Sequence, residues 1–372
     1  MEPRGGGREA CHLNEKGPVS DVPNAITVTG TAQRQAWLSR VLPPVEQVRP
    51  GLWSIPTVFP NNPLRYVLSY ALRFDGGVAL VDTGWPCEEA WDGLVAGLGE
   101  AGWDITDVRA VLVTHGHADH FGLARRVREV SGAWIAMHEA DARREANFPG
   151  PTAFQRADSA WLARRGGRAN DLTSIRQPRP EMFEEFRVVA DRFLVDRDRP
   201  LGAGSALTAI WTPGHTPGHV CFYDGERNLL LTGDHVLPRI TPNISPAAGV
   251  ADDVLGEYLS SLRLLAGYAD AEVLPAHEYR FSGLAQRIGD LLKHHDARLG
   301  EVIDVIRAEP GADTVVVAAG LHWSRPWAQM QGMPRRFAIG EAYAHLVHLE
   351  QAGRIINKGT DADSWYLGDA GD

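Results

Sequence analysis

Apolar residues recur along the chain in short runs that stop abruptly at turn or polar residues: 66–74, 78–81, 110–113, 133–137, 206–211, 220–223, 229–231 and 272–274. Runs of this length, β-rich and bounded by turn formers, predict strands. Between several of them the apolar spacing lengthens to that of an amphipathic helix, at 87–101, 119–130 and 253–266. This order is that of a mixed α/β domain. Beyond His277 the pattern becomes helical: 284–307 is amphipathic, a shorter run follows Thr314, and 339–351 places Ile339, Ala342, Tyr343, Leu346 and Leu349 on one face before a C-capping Gly353. The first residues show no sustained period beyond a short helix around 33–41, and regular structure is expected from near Gly51. The expected organisation is a flexible tail at 1–34, a main domain at 35–285 and a small helical domain at 286–372. No internal repeat is evident, which excludes solenoids and propellers.

Composition narrows the class. The chain has 372 residues, 44% apolar and 23% charged, as in an ordinary globular protein. With 37 Lys+Arg against 47 Asp+Glu the net charge is −10, which disfavours nucleic acid as a partner. No apolar run approaches the ~18–20 residues of a membrane span, and residues 1–20 lack the apolar core of a signal peptide, so no membrane partner and a cytoplasmic location are expected. Cys11, Cys87 and Cys221 are too few and too scattered for a disulfide framework or a cysteine-based zinc site. One segment departs from the acidic background: 138–180 carries eight arginines against five acidic residues. Residues 138–200 are therefore expected to form a helical excursion, solvated or acting as a lid that accepts an anionic part of a substrate through residues such as Arg164 and Arg165.

The chemistry concentrates in the histidines. Thr114-His115-Gly116-His117-Ala118-Asp119-His120 directly follows the apolar run 111–113. Imidazoles and a carboxylate packed this closely repel or stay unpaired unless a cation organises them. Zinc suits mixed His nitrogen and Asp oxygen donors, and iron or manganese accepts the same set. Alternation puts His115 and His117 on one side, while the turn into the next helix brings Asp119 and His120 to a second point, so two metal positions are implied. Three more strand ends add one donor each: His215 in Thr212-Pro213-Gly214-His215, Asp234 in Thr232-Gly233-Asp234, and His277 in Pro275-Ala276-His277. Five His and two Asp fill two three-donor sites that share one carboxylate.

This HxHxDH element with its spaced His, Asp and His resembles the metallo-β-lactamase-fold hydrolases, in the dinuclear glyoxalase-II-like pattern, over about residues 48–283. The resemblance implies an α/β (α+β) αβ/βα sandwich with two zinc ions per chain. His115, His117 and His215 would hold the first ion, Asp119, His120 and His277 the second, and Asp234 would bridge. Asp82, in Leu80-Val81-Asp82-Thr83-Gly84, would orient ligands from behind. The helical C-terminus resembles the winged-helix-like extension of the lactamase-β-like-2 group. It is expected to cap the site, the other possibility being a module that binds DNA or a protein. His219 and His235 are candidates to support or line the site, the alternatives being a buried histidine bonded to backbone and one facing away. Arg239 and Asn243 are candidate substrate contacts. Cys221 reads as core, and His138, His294, His295, His322, His345 and His348 as surface or helix-packing residues.

With two ions, a bridging water becomes a hydroxide near neutral pH, with Asp119 and Asp234 as the catalytic carboxylates. No dedicated acid is visible, which favours leaving groups that need none, such as a thiolate with a pKa of ~8.5. The expected activity is hydrolysis of a thioester, activated ester or lactone on a small-molecule or acyl-carrier substrate. The alternatives are an endoribonuclease or phosphodiesterase of the lactamase-β-like-2 type, and iron-dependent sulfur or oxygen chemistry. A true β-lactamase is disfavoured, since those enzymes generally lack the bridging Asp and are exported.

Overall fold

The computed structural model describes residues 26–167, 189–246 and 253–368. Residues 1–25 of the expected tail, with Cys11, and 168–188 of the expected lid lie outside the described residues.

Among the described residues, β2 (Glu46–Arg49), β3 (Leu52–Val58), β4 (Tyr66–Phe74), β5 (Gly77–Val81), β6 (Val108–Leu112), β7 (Trp134–His138) and β8 (Arg192–Leu194) lie side by side in chain order. The first four pair antiparallel and β5 to β8 pair parallel. The second sheet runs in the order β1 (Thr27–Val28), β13 (Phe281–Ser282), β12 (Glu272–Pro275), β11 (Leu229–Gly233), β10 (Val220–Asp224) and β9 (Leu207–Trp211). Here only β11 and β12 are parallel.

Successive side chains of a strand face opposite ways, and this alternation sorts the core into layers. Tyr66, Leu68, Tyr70 and Leu72 of β4 meet Leu207, Ala209, Phe222, Leu229, Leu231 and Leu274 of the other sheet in one apolar cluster. Their neighbours face outward: Ala71, Val111 and Ile135 pack with helix residues Ala90, Leu94 and Val127, while Ile210, Cys221, Leu230 and Val273 pack under Leu255, Tyr258 and Leu262. The result is an αβ/βα sandwich. Helix α1 (Thr31–Ser39) precedes β2, and α2 (Glu88–Glu100) follows β5. Helix α2 starts with Glu88 and Glu89 in its first turn, where the helix dipole favours negative charge, and buries Ala90, Leu94 and Leu98 at intervals of four.

Helices α3 (Ala118–Phe121), α4 (Ala124–Ser131), α5 (Glu139–Ala146), α6 (Pro151–Arg164) and α7 (Val254–Leu265) complete the main body, followed by α8 (Leu284–Ala308), α9 (Thr314–Gly320), α10 (Met333–Gln351) and a hairpin of β14 (Ile355–Asn357) and β15 (Trp365–Leu367). Gly353 follows α10 with a φ of 71°, as a C-terminal stop requires. These C-terminal elements have no core of their own: Leu291, Val302, Ile339, Leu346 and Trp365 belong to the same cluster as α7 and the outer face of the second sheet.

Three expectations are corrected. The tail does not reach residue 34, and regular structure begins well before Gly51, because Thr27–Val28 pairs with Phe281 and Ser282 and α1 buries Gln33, Ala36 and Trp37. The helix expected at 119–130 is two, α3 and α4. The described part of the Arg-rich excursion faces the C-terminal elements through Arg164 and Arg165: Arg164 donates to the Thr360 carbonyl, and buried Arg165 lies over Trp161 and Tyr343, 3.8 Å from Asp363. No helix among the described residues is long and apolar enough to cross a membrane.

Candidate metal centre

The seven donors stand at one edge of the sandwich, where strands of both sheets end. The turn after β6 and the start of α3 supply His115, His117, Asp119 and His120, while His215, Asp234 and His277 follow β9, β11 and β12. His115 Nε2 lies 2.9 Å from His117 Nδ1, which in turn lies 3.2 Å from His215 Nε2. In the second set, His277 Nε2 lies 3.4 Å from Asp119 Oδ2 and 3.3 Å from Asp234 Oδ1, and His120 Nε2 lies 3.6 and 3.5 Å from the same two atoms. Asp234 Oδ2 turns the other way, 3.7 Å from His215 Nε2. Tetrahedral donors ~2.1 Å from a zinc ion are ~3.4 Å apart, so the separations that involve Asp119 and Asp234 match the edges of coordination polyhedra better than direct hydrogen bonds, whereas the His115–His117 and His117–His215 contacts are of hydrogen-bond length. His115, His117 and His215, and likewise Asp119, His120 and His277, each bring one donor atom within 4.8 Å of the others, and Asp234 groups with His115 and His120 between them.

The unpaired atoms point the same way. His120 Nε2, His277 Nε2 and Asp234 Oδ1 are buried without a hydrogen-bond partner, a costly state that a cation among them relieves. The opposite ring nitrogens are tied down. His120 Nδ1 is 2.8 Å from Asp82 Oδ2, His215 Nδ1 is 3.0 Å from the Asn243 carbonyl, and His277 Nδ1 is 2.8 Å from that of Tyr66. His115 Nδ1 meets the Thr114 hydroxyl at 3.0 Å, and that hydroxyl and the Thr114 N–H both donate to Asp82. Such contacts fix each ring and leave its other nitrogen facing the centre.

For the side chains by themselves the two sets differ in charge. Burial, reinforced by neighbouring histidines, holds His115 well below the usual histidine range and His117 down to about 3. Burial also lowers His215, against the pull of Asp234. In the other set burial opposes charge, but the carboxylates overcome it at His120 and His277, raising both, while those histidines keep Asp234 well below the carboxylate range and lower Asp119.

Of the weaker candidates, Asp82 and Asn243 are brought to the ligands, Asn243 through its backbone oxygen. The Asn243 side chain is half-buried, with its Oδ1 buried and without a hydrogen-bond partner among the described residues. Arg239 is half-buried, and its N–H and Nε donate at 3.1 and 3.2 Å to Glu278, a buried carboxylate that needs a cation and lies 39 residues away in sequence. His235 does not line the mouth. It is fully buried against Tyr258 and His219, at ring distances of 4.7 and 5.3 Å. His219 lies behind the ligands, its ring 5.1 Å from that of His115 and its Nδ1 2.8 Å from the Thr212 hydroxyl.

Sequence reasoning missed Asp141. This fully buried residue of α5 accepts from the Gly116 N–H at 2.7 Å, the Thr216 hydroxyl at 2.6 Å and the Gly218 N–H at 2.8 Å. It thus joins the loop between His115 and His117 to the loop flanking His215. A Cβ at Gly218 would lie 2.7 Å from the Asp141 backbone nitrogen, so this approach needs glycine. The only local signal was an acidic residue shortly after the third parallel-strand run.

Comparison with known proteins agrees with this architecture. The protein called Lactamase-like protein nscB in Neosartorya fischeri is 34% identical over 106 residues, 28% of this chain and 30% of that protein. Lactamase-like protein adaB of Aspergillus niger is 34% identical over 100 residues, 27% and 29% of the two chains. The chain thus spans less than a third of the length of these curated relatives. A metallo-beta-lactamase family protein from Thermus thermophilus superposes with a TM-score of 0.73 at 28% identity, covering 86% of this chain and 100% of that one. A beta-lactamase domain protein from Burkholderia ambifaria gives 0.73 at 26% identity, covering 92% and 97%. The family model of the metallo-beta-lactamase superfamily matches residues 62–277, more than half of the chain. Fold, donor cluster and sequence agree: the chain belongs to the metallo-beta-lactamase superfamily, whose members are generally hydrolases.

Proposed function

We propose that the chain is a hydrolase that holds two divalent metal ions, with zinc as the best fit, and cleaves a thioester, activated ester or lactone of a small-molecule or carrier-bound substrate. The observation that carries this reading is the divided Asp234 carboxylate, with Oδ2 toward His215 and Oδ1 toward His120 and His277. His115, His117 and His215 would hold one ion, Asp119, His120 and His277 the other, and Asp234 would serve both. Bound there, the ions supply a hydroxide nucleophile near neutral pH and polarise the substrate oxygen.

The chain's own groups do the rest. Asp82, Thr114 and the carbonyls of Tyr66 and Asn243 orient the imidazoles before substrate arrives, so no reorganisation is needed during the reaction. Asp119 keeps one oxygen toward His277, and its other oxygen can accept the proton of an attacking water. Asp119 and Asp234 are acceptors, which suits a thiolate or enolate leaving group better than an amine, since the latter must be protonated to depart. Three helices followed by a two-stranded hairpin support a winged-helix-like reading of the C-terminal elements. Their capping role is supported by Arg287 of α8, which donates at 2.7 Å to the carbonyls of both Leu237 and Ile240 in the loop leading to Asn243.

The test couples metal content to initial rates on acyl thioesters, a lactone and a bis-aryl phosphodiester. About two zinc ions per chain with thioester or lactone turnover is expected, and His117→Ala should lose turnover and one ion. Phosphodiester cleavage alone, or a single iron with oxygen consumption, overturns the reading.

A further inference from the structure

Three segments meet beside His277 without supplying a metal ligand: the end of α1, the loop between β3 and β4, and the loop after β11. Residues 37–44, 59–65 and 237–243 carry Arg40, Arg65 and Arg239 and no acidic residue, in a chain of net charge −10. One buried indole gathers the three. The guanidinium carbon of Arg65 lies 3.8 Å from the centre of the Trp37 ring, and that of Arg239 lies 5.5 Å from the same ring. The Trp37 carbonyl accepts from Arg65 Nη1 at 2.8 Å and from the Arg40 N–H at 3.3 Å. The Arg65 and Arg239 guanidinium carbons are thus no more than about 9 Å apart, inside the screening length of ~10 Å at 0.1 M salt. Hydrogen bonds join this corner to the metal centre on both sides of His277. The carbonyl of Tyr66, the residue after Arg65, meets His277 Nδ1 at 2.8 Å, while Glu278, the residue after His277, accepts from Arg239 Nε at 3.2 Å. The Tyr66 hydroxyl donates to the Glu278 carbonyl at 2.7 Å and closes the junction. Donors are left over: the other guanidinium nitrogens of Arg65 and Arg239, and the whole exposed side chain of Arg40, form no hydrogen bond among the described residues. The backbone is strained here as well. Arg40, Arg65 and Glu278 have φ of 58°, 67° and 68°, in the left-handed region that residues with a side chain rarely adopt and that clusters at ligand clamps.

We propose that Arg40, Arg65 and Arg239, gathered on Trp37, bind the phosphate that ends a pantetheine-type arm, so that the substrate is an acyl thioester of a phosphate-bearing coenzyme or carrier and not of glutathione. Guanidinium groups stacked on an indole keep their in-plane donors for an anion, and a phosphate accepts such donors in pairs. The distances agree. Being bonded to the residue that follows His277, the Arg239 guanidinium stands within about 17 Å of the His277 ring, and a pantetheine arm extends over about 15 Å from its sulfur to its phosphorus. A thioester at the metal centre thus brings its phosphate to this corner. The inference rests on the hydrolase reading above, and its test separates the two.

Metal-loaded wild type, Arg40→Ala, Arg65→Gln and Arg73→Ala are compared on the acetyl thioesters of pantetheine, 4′-phosphopantetheine and glutathione. Wild type should prefer the phosphopantetheine ester to the pantetheine ester by about tenfold in kcat/KM, mainly through KM, and by less at high salt. Arg40→Ala should reduce that ratio by about threefold and Arg65→Gln by about tenfold. Arg73→Ala, at an exposed position at the other end of β4, should leave it within about twofold of wild type. No preference in wild type, or a ratio unchanged in both Arg40→Ala and Arg65→Gln, overturns the proposal. So does a preference for the glutathione ester that these substitutions abolish. A further gain with acetyl-coenzyme A supports the site with the free coenzyme as the source of the phosphate, and one with an acetyl-loaded bacterial acyl carrier protein supports it with the carrier as the source. Calorimetric titration of the same proteins with 4′-phosphopantetheine and pantetheine reads the preference without turnover. A phosphate preference lost in Arg40→Ala and Arg65→Gln supports the site even where no thioester is hydrolysed, an outcome that would overturn the hydrolase reading alone. A preference unaltered by both substitutions overturns the site.

Discussion

Asp141 offers a sharp test of how the centre is held. Replacing it with alanine leaves two buried backbone N–H groups and one hydroxyl without their acceptor. Each such group costs about 1–3 kcal/mol, so the loss should be about 3–6 kcal/mol once partial relaxation is allowed for. Asparagine keeps one oxygen, serves one side of the junction and turns an N–H₂ toward the donors of the other, for a loss of about 1–3 kcal/mol. The damage should also be uneven. The junction braces only the loops that carry His115, His117 and His215, whereas His120 and His277 rest on Asp82 and the Tyr66 carbonyl. Zinc titration of Asp141→Asn against a competing chelator should therefore show one of the two sites weakened by about 10–100-fold and the other by much less. Thermal unfolding of the apo-protein supplies the stability term independently. Equal weakening of both sites, or wild-type affinity at both, refutes this account of Asp141.

Arg287→Ala should free the loop 237–243 and weaken the site containing His215 by about tenfold, read by the same zinc titration; unchanged affinity would show that the loop holds its place without α8. His345, packed against His295 at 3.1 Å between α8 and α10, is kept neutral by burial, with its pKa lowered to about 3. A depressed folded-state pKa contributes stability above the unfolded value of ~6.5 that is lost as pH falls toward 3, so wild type should lose more Tm between pH 7 and pH 4 than His345→Gln, and an equal loss in both proteins refutes that role.

Strands buried on both faces were legible because nearly every position is apolar. The run 66–74 coincides with β4, and 229–231 lies within β11. By contrast β2 carries Glu46 and Gln47 and β3 contains Pro56, which break the pattern that identifies strands, while β1 and β13 are two residues each and depend on one another for pairing. The break between α3 and α4 has no helical signal of its own. A Cβ at Gly122 would lie 2.3 Å from the Ala118 carbonyl oxygen and 2.4 Å from Pro86, so the close approach of these segments needs glycine there. The seven donors could be read because each sits in a short polar turn after an apolar run. The partners of Arg239 and Asp141 could not, since Glu278 and Thr216 lie far along the chain and stand in stretches with no local signature.

The seven donors are divided between the edges of two sheets that meet through an apolar interface, with polar ties such as Arg49 to Glu272 and Tyr70 to the Pro275 carbonyl at its border; four stand beside β6 and three beside β9, β11 and β12. An occupied centre is then a clasp across the seam of the sandwich. Each ion at a free concentration of a thousand times its Kd adds about 4 kcal/mol to the folded state, comparable with a disulfide, yet reversible and set by supply. The lifetime of this protein would then follow the metal economy of its surroundings: starvation for metal would silence the site and also lower the stability of the sandwich, making its unfolding and proteolysis more frequent.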